Sequence, residues 1–266
     1  MHTIALPRQN MTLAYNDHGH GSPLILLHAF PLDHEMWEPQ LAALVGAGYR
    51  VIVIDLPGFG ASPRQPGWTI DSAADAVAEL LEQLRVPTAV VGGVSMGGYV
   101  ALAFARRHPR QLAGLILADT RAGADDEVAR ARRHEMITAI RQRGIDAISS
   151  TLLPQLLGET TRQRHPHLLD TVQAIASRQT PEALVDALIA LRDRPDATPY
   201  LGNICVPTLV LVGEEDTITP PLYAARLAGL INTAQLQYVP RAGHLSNLEN
   251  PEAFNQAVLE FLPRVR

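Results

Sequence analysis

The chain has 266 residues, of which 47% are hydrophobic and 18% charged, so it can bury a sizeable core without disulfides or metals. Its formal net charge is −5 and no block of like charge stands out, which argues against a nucleic-acid partner. The arginines among residues 130–133 are typical of a solvated helix face. All 22 basic residues are arginine, which excludes a Schiff-base lysine, a pyridoxal-phosphate anchor and a P-loop lysine.

The single cysteine, Cys205, excludes an internal disulfide, and its position just before an apolar run predicts a buried structural thiol. The N-terminal residues lack a charged segment followed by an apolar stretch, so we expect no signal peptide. No run of about 18 apolar residues is present that would predict a membrane span. We therefore expect a cytoplasmic protein without a membrane partner.

The predicted elements begin with an edge hairpin and continue as alternating strands and helices. Residues 3–6 and 11–17 alternate in polarity before a glycine-rich turn, which predicts an antiparallel hairpin at a sheet edge. Apolar runs without alternation then predict strands buried on both faces, as in a parallel sheet. These runs lie at residues 24–27, 50–54, 89–94, 112–118 and 208–212, and helical patterns cover residues 34–45, 70–84, 96–107, 222–230 and 251–262. The alternation predicts an α/β fold with a mostly parallel central sheet flanked by helices.

Residues 122–199 interrupt this alternation. Apolar residues recur there at helical spacing, five prolines punctuate the segment, and no convincing strand is visible. Because the strand pattern resumes afterwards, we interpret the segment as a helical cap inserted between two sheet strands. A separate helical domain is the alternative. The predicted division is a core of residues 1–121 and 200–266 and a cap of residues 122–199.

Ser95 is the predicted nucleophile. It is the serine of a G-x-S-x-G motif, Gly93-Val94-Ser95-Met96-Gly97, which follows a predicted strand and begins a predicted helix. That strand–turn–helix context is what a nucleophile elbow requires, since the hydroxyl must stand on a sharp turn above the sheet. Flanking glycines remove the Cβ atoms that would clash in such a turn.

Asp216 is the predicted acid of a catalytic triad. A serine hydroxyl needs an adjacent base that is oriented by an acid. In chains with a nucleophile elbow, the acid follows the serine in the sequence and the histidine follows the acid. Asp216 lies just past the run at residues 208–212, at the carboxyl end of a predicted strand. The alternatives are Glu214, Glu215 and Asp119, which ends the preceding strand.

His244 is the predicted base. It follows Gly243 in a loop after the apolar stretch at residues 236–239, where an imidazole can reach over the serine. The chain has ten histidines, most of them before Ser95 or within the predicted cap. His165 and His167 flank a proline, but without further ligands nearby they are more typical of exposed side chains than of a metal site.

Two backbone N–H groups are the predicted oxyanion hole. A tetrahedral intermediate needs preorganised donors, and the N–H of Met96, directly after the nucleophile, is the first. The second is the N–H of Phe30, in the loop after the run at residues 24–27. The Phe30 ring is also a candidate pocket wall.

Taken together, several stretches resemble the α/β-hydrolase superfamily over essentially the whole chain. They are His28–Asp33, Asp55–Ser62, the Ser95 elbow, Gly213–Asp216 and Gly243-His244. Within the superfamily the chain is most similar to small bacterial carboxylesterases, 3-oxoadipate enol-lactonases and cofactor-free haloperoxidases. One departure is Ala29, where relatives usually carry a glycine. The departure matters for the loop of the Phe30 donor because alanine tolerates a positive φ poorly.

The resemblance implies a serine hydrolase that cleaves a carboxylic ester of a small, partly apolar molecule through an acyl-enzyme, without a metal or other cofactor. A lactonase acting on an enol-lactone or acyl-lactone is the alternative, with perhydrolysis as a possible side activity. A non-catalytic binding protein of the same fold is a further alternative. The sequence leaves the exact substrate and the oligomeric state open.

Overall fold

An eight-stranded, mostly parallel sheet forms the centre of the computed structural model, which describes residues 1–265. The strand order across the sheet is β1-β2-β4-β3-β5-β6-β7-β8. In chain order the strands are β1 (His2–Leu6), β2 (Met11–His18), β3 (Ser22–Leu27), β4 (Tyr49–Asp55), β5 (Ala89–Val94), β6 (Leu112–Ala118), β7 (Thr208–Gly213) and β8 (Ala234–Val239). The strands predicted from apolar runs are all present, and those at residues 89–94 and 112–118 have the predicted bounds.

The predicted edge hairpin is confirmed. Strand β1 pairs with β2 in antiparallel register, with His2 opposite Tyr15 and Leu6 opposite Met11. Strand β2 also runs antiparallel to β4, while all pairs from β4 to β8 are parallel.

Successive residues of the central strands face opposite sides of the sheet and enter two separate hydrophobic clusters. In β3, Leu24 and Leu26 belong to one cluster, while Ile25 and Leu27 belong to the other. This is the two-residue period of a strand with both faces covered, which explains why the sequence of these strands lacks polar alternation.

Helices cover both faces. The α-helices are α1 (Glu38–Gly46), α2 (Ile70–Gln83), α3 (Met96–Arg107), α4 (Glu127–Arg143), α5 (Asp146–Ser149), α6 (Glu159–Arg164), α7 (His167–Ala176), α8 (Pro181–Arg192), α9 (Pro221–Leu230), α10 (Ser246–Glu249) and α11 (Pro251–Phe261). Where the sequence predicts one helix at residues 34–45, the structure has a 3₁₀ turn, His34–Trp37, followed by α1. Helices α2 and α3 pack on one face of the sheet, and α1 and α11 on the other.

Helices α4 to α8 lie between β6 and β7 in the chain, and residues 122–199, all of them described, contain no strand. Their apolar side chains join the two clusters of the sheet. Ile140 and Leu188 belong to the cluster with α2 and α3, whereas Leu153 and Val172 belong to the other. The inserted helices are therefore packed against the sheet-bearing part of the chain.

The prediction of a buried Cys205 was wrong. Its side chain is exposed, in the connection between a 3₁₀ turn, Thr198–Asn203, and β7. The apolar run that suggested burial begins only at Thr208, so Cys205 lies before the strand enters the core.

Among residues 1–265, no helix is both long and apolar enough to span a lipid bilayer.

Candidate active site

Ser95 lies on the turn between β5 and α3. Its backbone has a φ of 52° and a ψ of −108°. This conformation is energetically unfavourable for any residue other than glycine, so it persists only where the surrounding structure stabilises it. The Ser95 N–H donates to Ala118 O at 2.9 Å, and the Thr120 hydroxyl donates to Ser95 O at 2.9 Å. The end of β6 therefore fixes the strained turn.

The glycines on either side of Ser95 are required by close backbone packing. A Cβ on Gly93 would lie 2.2 Å from the carbonyl carbon of Gly97. A Cβ on Gly97 would lie 2.1 Å from Leu27 O in β3. Both distances are far below van der Waals contact, so the steric reason proposed for the motif agrees with the geometry.

Ser95, His244 and Asp216 are joined by a chain of hydrogen bonds. The Ser95 hydroxyl lies 2.8 Å from His244 Nε2, and His244 Nδ1 lies 2.9 Å from Asp216 Oδ2. With Nδ1–H donating to the carboxylate, Nε2 is left to accept the Ser95 hydroxyl. His244 and Asp216 are almost fully buried, so water competes little for these bonds.

The environment shifts the pKa values of His244 and Asp216 in opposite directions. Burial lowers the pKa of His244, but the charge and hydrogen bond of Asp216 outweigh it, and the net pKa lies above its ordinary value. Burial raises the pKa of Asp216, but the charge and hydrogen bond of His244 and hydrogen bonds from Thr219 outweigh it, so the net pKa lies below its ordinary value. Asp216 is thus a carboxylate beside an imidazole that accepts a proton readily.

Thr219 also belongs to the site, although the sequence analysis does not predict it. Its hydroxyl donates to Asp216 Oδ2 at 2.7 Å and lies 3.2 Å from His244 Nδ1. The N–H groups of Ile218 and Thr219 both donate to Asp216 Oδ1, at 2.8 and 2.9 Å. An aspartate followed at two and three residues by free N–H groups in a loop is the signal that could have indicated this arrangement.

Asp119, the alternative acid, makes no hydrogen bond to His244. Its Oδ1 accepts the N–H of Gly213 at 2.8 Å, and its Oδ2 faces the hydroxyl and N–H of Ser246. Burial and the nearby charge of Asp216 raise the pKa of Asp119 to about 8, so the group is protonated at neutral pH. The Ser246 hydroxyl donates to Asp119 Oδ2, and this bond partly opposes the rise.

The other two alternatives also point elsewhere. Glu215 accepts the N–H of Thr160 at 2.8 Å, and Glu214 accepts the N–H of Arg241 at 3.4 Å. Of the four carboxylates considered, only Asp216 bonds to the imidazole among the described residues.

The two predicted oxyanion donors are available. Met96 is the first residue of α3, so its N–H has no partner within the helix. The Phe30 N–H donates to no group among residues 1–265. Ala29 does not adopt a positive φ, so the replacement of the usual glycine does not strain this loop.

His28 holds the peptide group that carries the Phe30 N–H. His28 Nδ1 lies 3.0 Å from Ala29 O, and the N–H of Leu32 donates to the same oxygen at 2.8 Å. The other ring nitrogen, Nε2, accepts the N–H of Leu56 at 2.9 Å, which makes Nδ1 the donor. Burial lowers the pKa of His28, so the ring stays neutral and keeps this tautomer.

A second cluster of titratable groups lies near His28. Asp33, His34 and Asp55 bring three candidate metal-ligand atoms within 4.8 Å of one another. However, Asp33 accepts two hydrogen bonds from the guanidinium of Arg178, and Asp55 accepts the N–H and Nδ1–H of His34. Because these oxygens already accept hydrogen bonds within the protein, we interpret the cluster as a hydrogen-bond network that stabilises the loops. His165 and His167 are exposed, as predicted.

Comparison with known proteins agrees with this architecture. A family model described as alpha/beta hydrolase fold matches residues 22–251. The chain is 31% identical to the AB hydrolase superfamily protein YisY of Bacillus subtilis, over 95% of this chain and 96% of that protein. Among solved structures, a thermophilic esterase from Thermogutta terrifontis is 41% identical with a TM-score of 0.92, over 96% of this chain and 94% of that one. The enol-lactonase from Burkholderia xenovorans LB400 is 28% identical with a TM-score of 0.90, over 98% and 99% of the two chains.

Proposed function

Because the chain belongs to the α/β-hydrolase family, we propose that it hydrolyses the carboxylic ester bond of a small, partly apolar molecule. The observation that carries the proposal is the unbroken path of hydrogen bonds from the Ser95 hydroxyl through His244 to Asp216. The esterase from Thermogutta terrifontis supports the reaction class.

Ser95 acts as the nucleophile and His244 as the base. As the Ser95 oxygen attacks the ester carbonyl, its proton passes to His244 Nε2 across the 2.8 Å hydrogen bond. Asp216 holds the imidazole by Nδ1–H and stabilises the cation that forms. The alcohol leaves with the proton from Nε2, and Ser95 remains acylated.

The N–H groups of Met96 and Phe30 bind the oxyanion of the tetrahedral intermediate. Each is free of another acceptor in the described chain, so neither must break a bond to do so. Water, activated by His244, then attacks the acyl-enzyme, and the acid is released from Ser95. Besides the substrate and water, each of these steps uses a side chain or backbone group of this chain.

The inserted helices form a cap over this chemistry. We assign residues 1–121 and 200–266 to the core, the last residue lying outside the described chain, and residues 122–199 to the cap. Packing of Leu153 and Val172 into a cluster that includes core strands supports an insertion over a separate helical domain. The apolar side chains of the cap favour a substrate with an apolar portion.

A lactonase is the second candidate, and one observation favours it. The enol-lactonase from Burkholderia xenovorans LB400 shares the fold over nearly the whole chain. A lactone is an internal ester, so the same nucleophile, base and donors would open it. Perhydrolysis as a side activity would use the same acyl-enzyme, with peroxide in place of water.

A matched panel of substrates tests the proposal. The panel contains p-nitrophenyl esters of graded acyl length beside enol-lactones and acyl-lactones, each assayed with the wild-type protein and with Ser95→Ala. We expect turnover of short to medium esters that is lost in Ser95→Ala. Lactones hydrolysed with a higher kcat/KM than every ester would favour the second candidate. Absence of turnover on both panels would contradict the proposal and favour a binding protein.

A further inference from the structure

Glu249 connects the loop of His244 to the inserted helices. Its Oε1 accepts the N–H groups of Gly243 at 2.9 Å and Leu245 at 3.1 Å, the two neighbours of His244. Its Oε2 accepts the N–H of Gly158, in the segment between β6 and β7, at 2.7 Å. One carboxylate therefore binds both neighbours of His244 and a residue 91 positions away in the chain.

The two segments are also in direct backbone contact. The N–H of His244 itself donates to Leu156 O at 3.0 Å. A Cβ on Gly243 would lie 2.3 Å from Gly158 N, and a Cβ on Gly158 would lie 2.8 Å from Gly243 N. Side chains at either position would push the segments apart, so the contact exists only because both residues are glycine.

A second attachment lies beside the first. Glu215, directly before Asp216, accepts the N–H of Thr160 at 2.8 Å and also its hydroxyl. The Glu215 N–H donates to Ala242 O at 2.8 Å, so this attachment too reaches the loop that carries His244. Residues 156–161 are thus fixed to the loops of both the base and the acid.

We propose that Glu249 is a positioning residue that couples docking of residues 156–161 to the placement of the His244 imidazole over Ser95. The proposal rests on the function proposed above. When these residues are docked, the peptide groups before and after His244 are both held. When they lift, Glu249 loses Gly158, the N–H of His244 loses Leu156 O, and the imidazole is no longer held in line with the Ser95 hydroxyl.

The surroundings of Glu249 agree with this role. Burial raises the pKa of Glu249, while hydrogen bonds from Thr161, Gly158, Gly243 and Leu245 oppose that rise. The charge of Glu249 also contributes to the raised pKa of His244. A buried carboxylate that satisfies backbone donors on two segments favours the arrangement in which both segments are present, because undocking leaves its charge with fewer donors.

Hydrogen–deuterium exchange of Glu249→Gln, without substrate, tests the coupling independently of the proposed reaction. Glutamine has the same size but only one acceptor oxygen, so at least one of the three N–H donors loses its partner. We expect faster exchange in residues 156–161 and in residues 243–245 together, while Glu252→Gln, an exposed carboxylate in α11, exchanges like the wild type. Faster exchange in only one of the two segments would overturn the coupling.

Glu215→Gln provides a second variant if Glu249→Gln does not fold. It loosens the attachment at Thr160 without touching Glu249, so the coupling predicts faster exchange at residues 243–245 as well. Unchanged exchange at 243–245, with faster exchange at 156–161, would overturn the proposal.

Activity gives the remaining readout. With a substrate of the wild-type protein, Glu249→Gln should lower kcat by about 10- to 100-fold, because a small misplacement of a catalytic group has an effect of that order. KM should change little, and the acid limb of the kcat/KM profile should move to lower pH because a negative charge near His244 is removed. An unaltered kcat in a folded variant would contradict the positioning role, even with faster exchange.

Discussion

The Thr219 hydroxyl donates a 2.7 Å hydrogen bond to Asp216 Oδ2, the same oxygen that faces His244 Nδ1 at 2.9 Å. Thr219 therefore limits the positions that the carboxylate can adopt. Because Thr219 Oγ1 lies 3.2 Å from Nδ1, it also offers the imidazole a second acceptor.

Thr219→Val removes this hydroxyl with little change in shape. We expect kcat to fall by about three- to tenfold, since a lost hydrogen bond of about 1 kcal/mol then acts on the orientation of His244. The free energy of unfolding should fall by about 1–3 kcal/mol because a buried acceptor loses a donor. Steady-state kinetics and urea unfolding measure both.

Thr217→Val is the matched control, because Thr217 is exposed and only two residues away. A Thr219→Val variant with the kinetics and stability of Thr217→Val would remove Thr219 from the site.

Replacing each of the two buried aspartates separates their roles. Asp216→Asn should lower kcat/KM by about 10⁴-fold, the order seen when a triad carboxylate is replaced by its amide. Asp119→Asn should retain activity within about tenfold, because a protonated carboxyl and an amide are similar in shape and charge. The reverse order of the two effects would show Asp119 to be the acid.

The pH profile of activity follows from the raised pKa of His244. The free enzyme needs a neutral imidazole, so kcat/KM should fall as the pH drops through a pKa above the ordinary 6.5 of histidine. In Asp216→Asn the acid limb should move to lower pH, because the charge and hydrogen bond that favour the imidazolium are lost. An acid limb that stays in place would exclude Asp216 as the cause of the shift.

Asp119 should give the folding stability a distinct dependence on pH. Its pKa is about 8 in the folded protein against 3.8 for the ordinary group, so the folded state binds the proton more tightly. The associated stability is fully present below about pH 4, declines as the pH rises, and is lost by the time the pH passes about 8. Asp119→Asn should therefore show a smaller fall in Tm between about pH 5 and pH 9 than the wild type. An equal fall in Tm over this pH range in the two proteins would contradict the raised pKa of Asp119.

Cys205 should react in the folded protein. Because its side chain is exposed, a thiol reagent such as dithionitrobenzoate should titrate one thiol without denaturant. Cys205→Ser should abolish the signal and leave esterase activity unchanged. A thiol that reacts only after unfolding would contradict the exposed position.

Much of this architecture could be predicted from local sequence patterns. Strands such as β5 and helices such as α3 could be predicted because a buried strand lacks polar alternation and a helix follows the elbow directly. Ser95 and Asp216 could be predicted because each follows a predicted strand, and His244 because it follows the apolar stretch at residues 236–239. The carboxyl ends of parallel strands meet at one edge of a sheet. The comparison with known proteins confirms the family and the fold, whereas the catalytic roles stay predictions.

Other features depend on contacts that no local pattern contains. Glu249 matters because its carboxylate accepts N–H groups from two segments that are far apart in the chain, and tertiary packing decides that these segments meet. Cys205 was misplaced because proximity to an apolar run does not tell where a strand enters the core. Asp119 could be named as an alternative acid, but its raised pKa comes from burial beside Asp216, which no local pattern contains.

Labelling with a fluorophosphonate probe, followed by peptide mass mapping, tests the central claim most directly. Such probes react with a serine only when a base activates its hydroxyl. We predict one adduct, on the peptide containing Ser95, that is absent from Ser95→Ala and strongly reduced in His244→Ala. Ser177→Ala, which changes an exposed serine in the inserted helical segment, should label like the wild type. A protein that acquires no adduct, or acquires it at another serine, would contradict the assignment of Ser95 as the nucleophile.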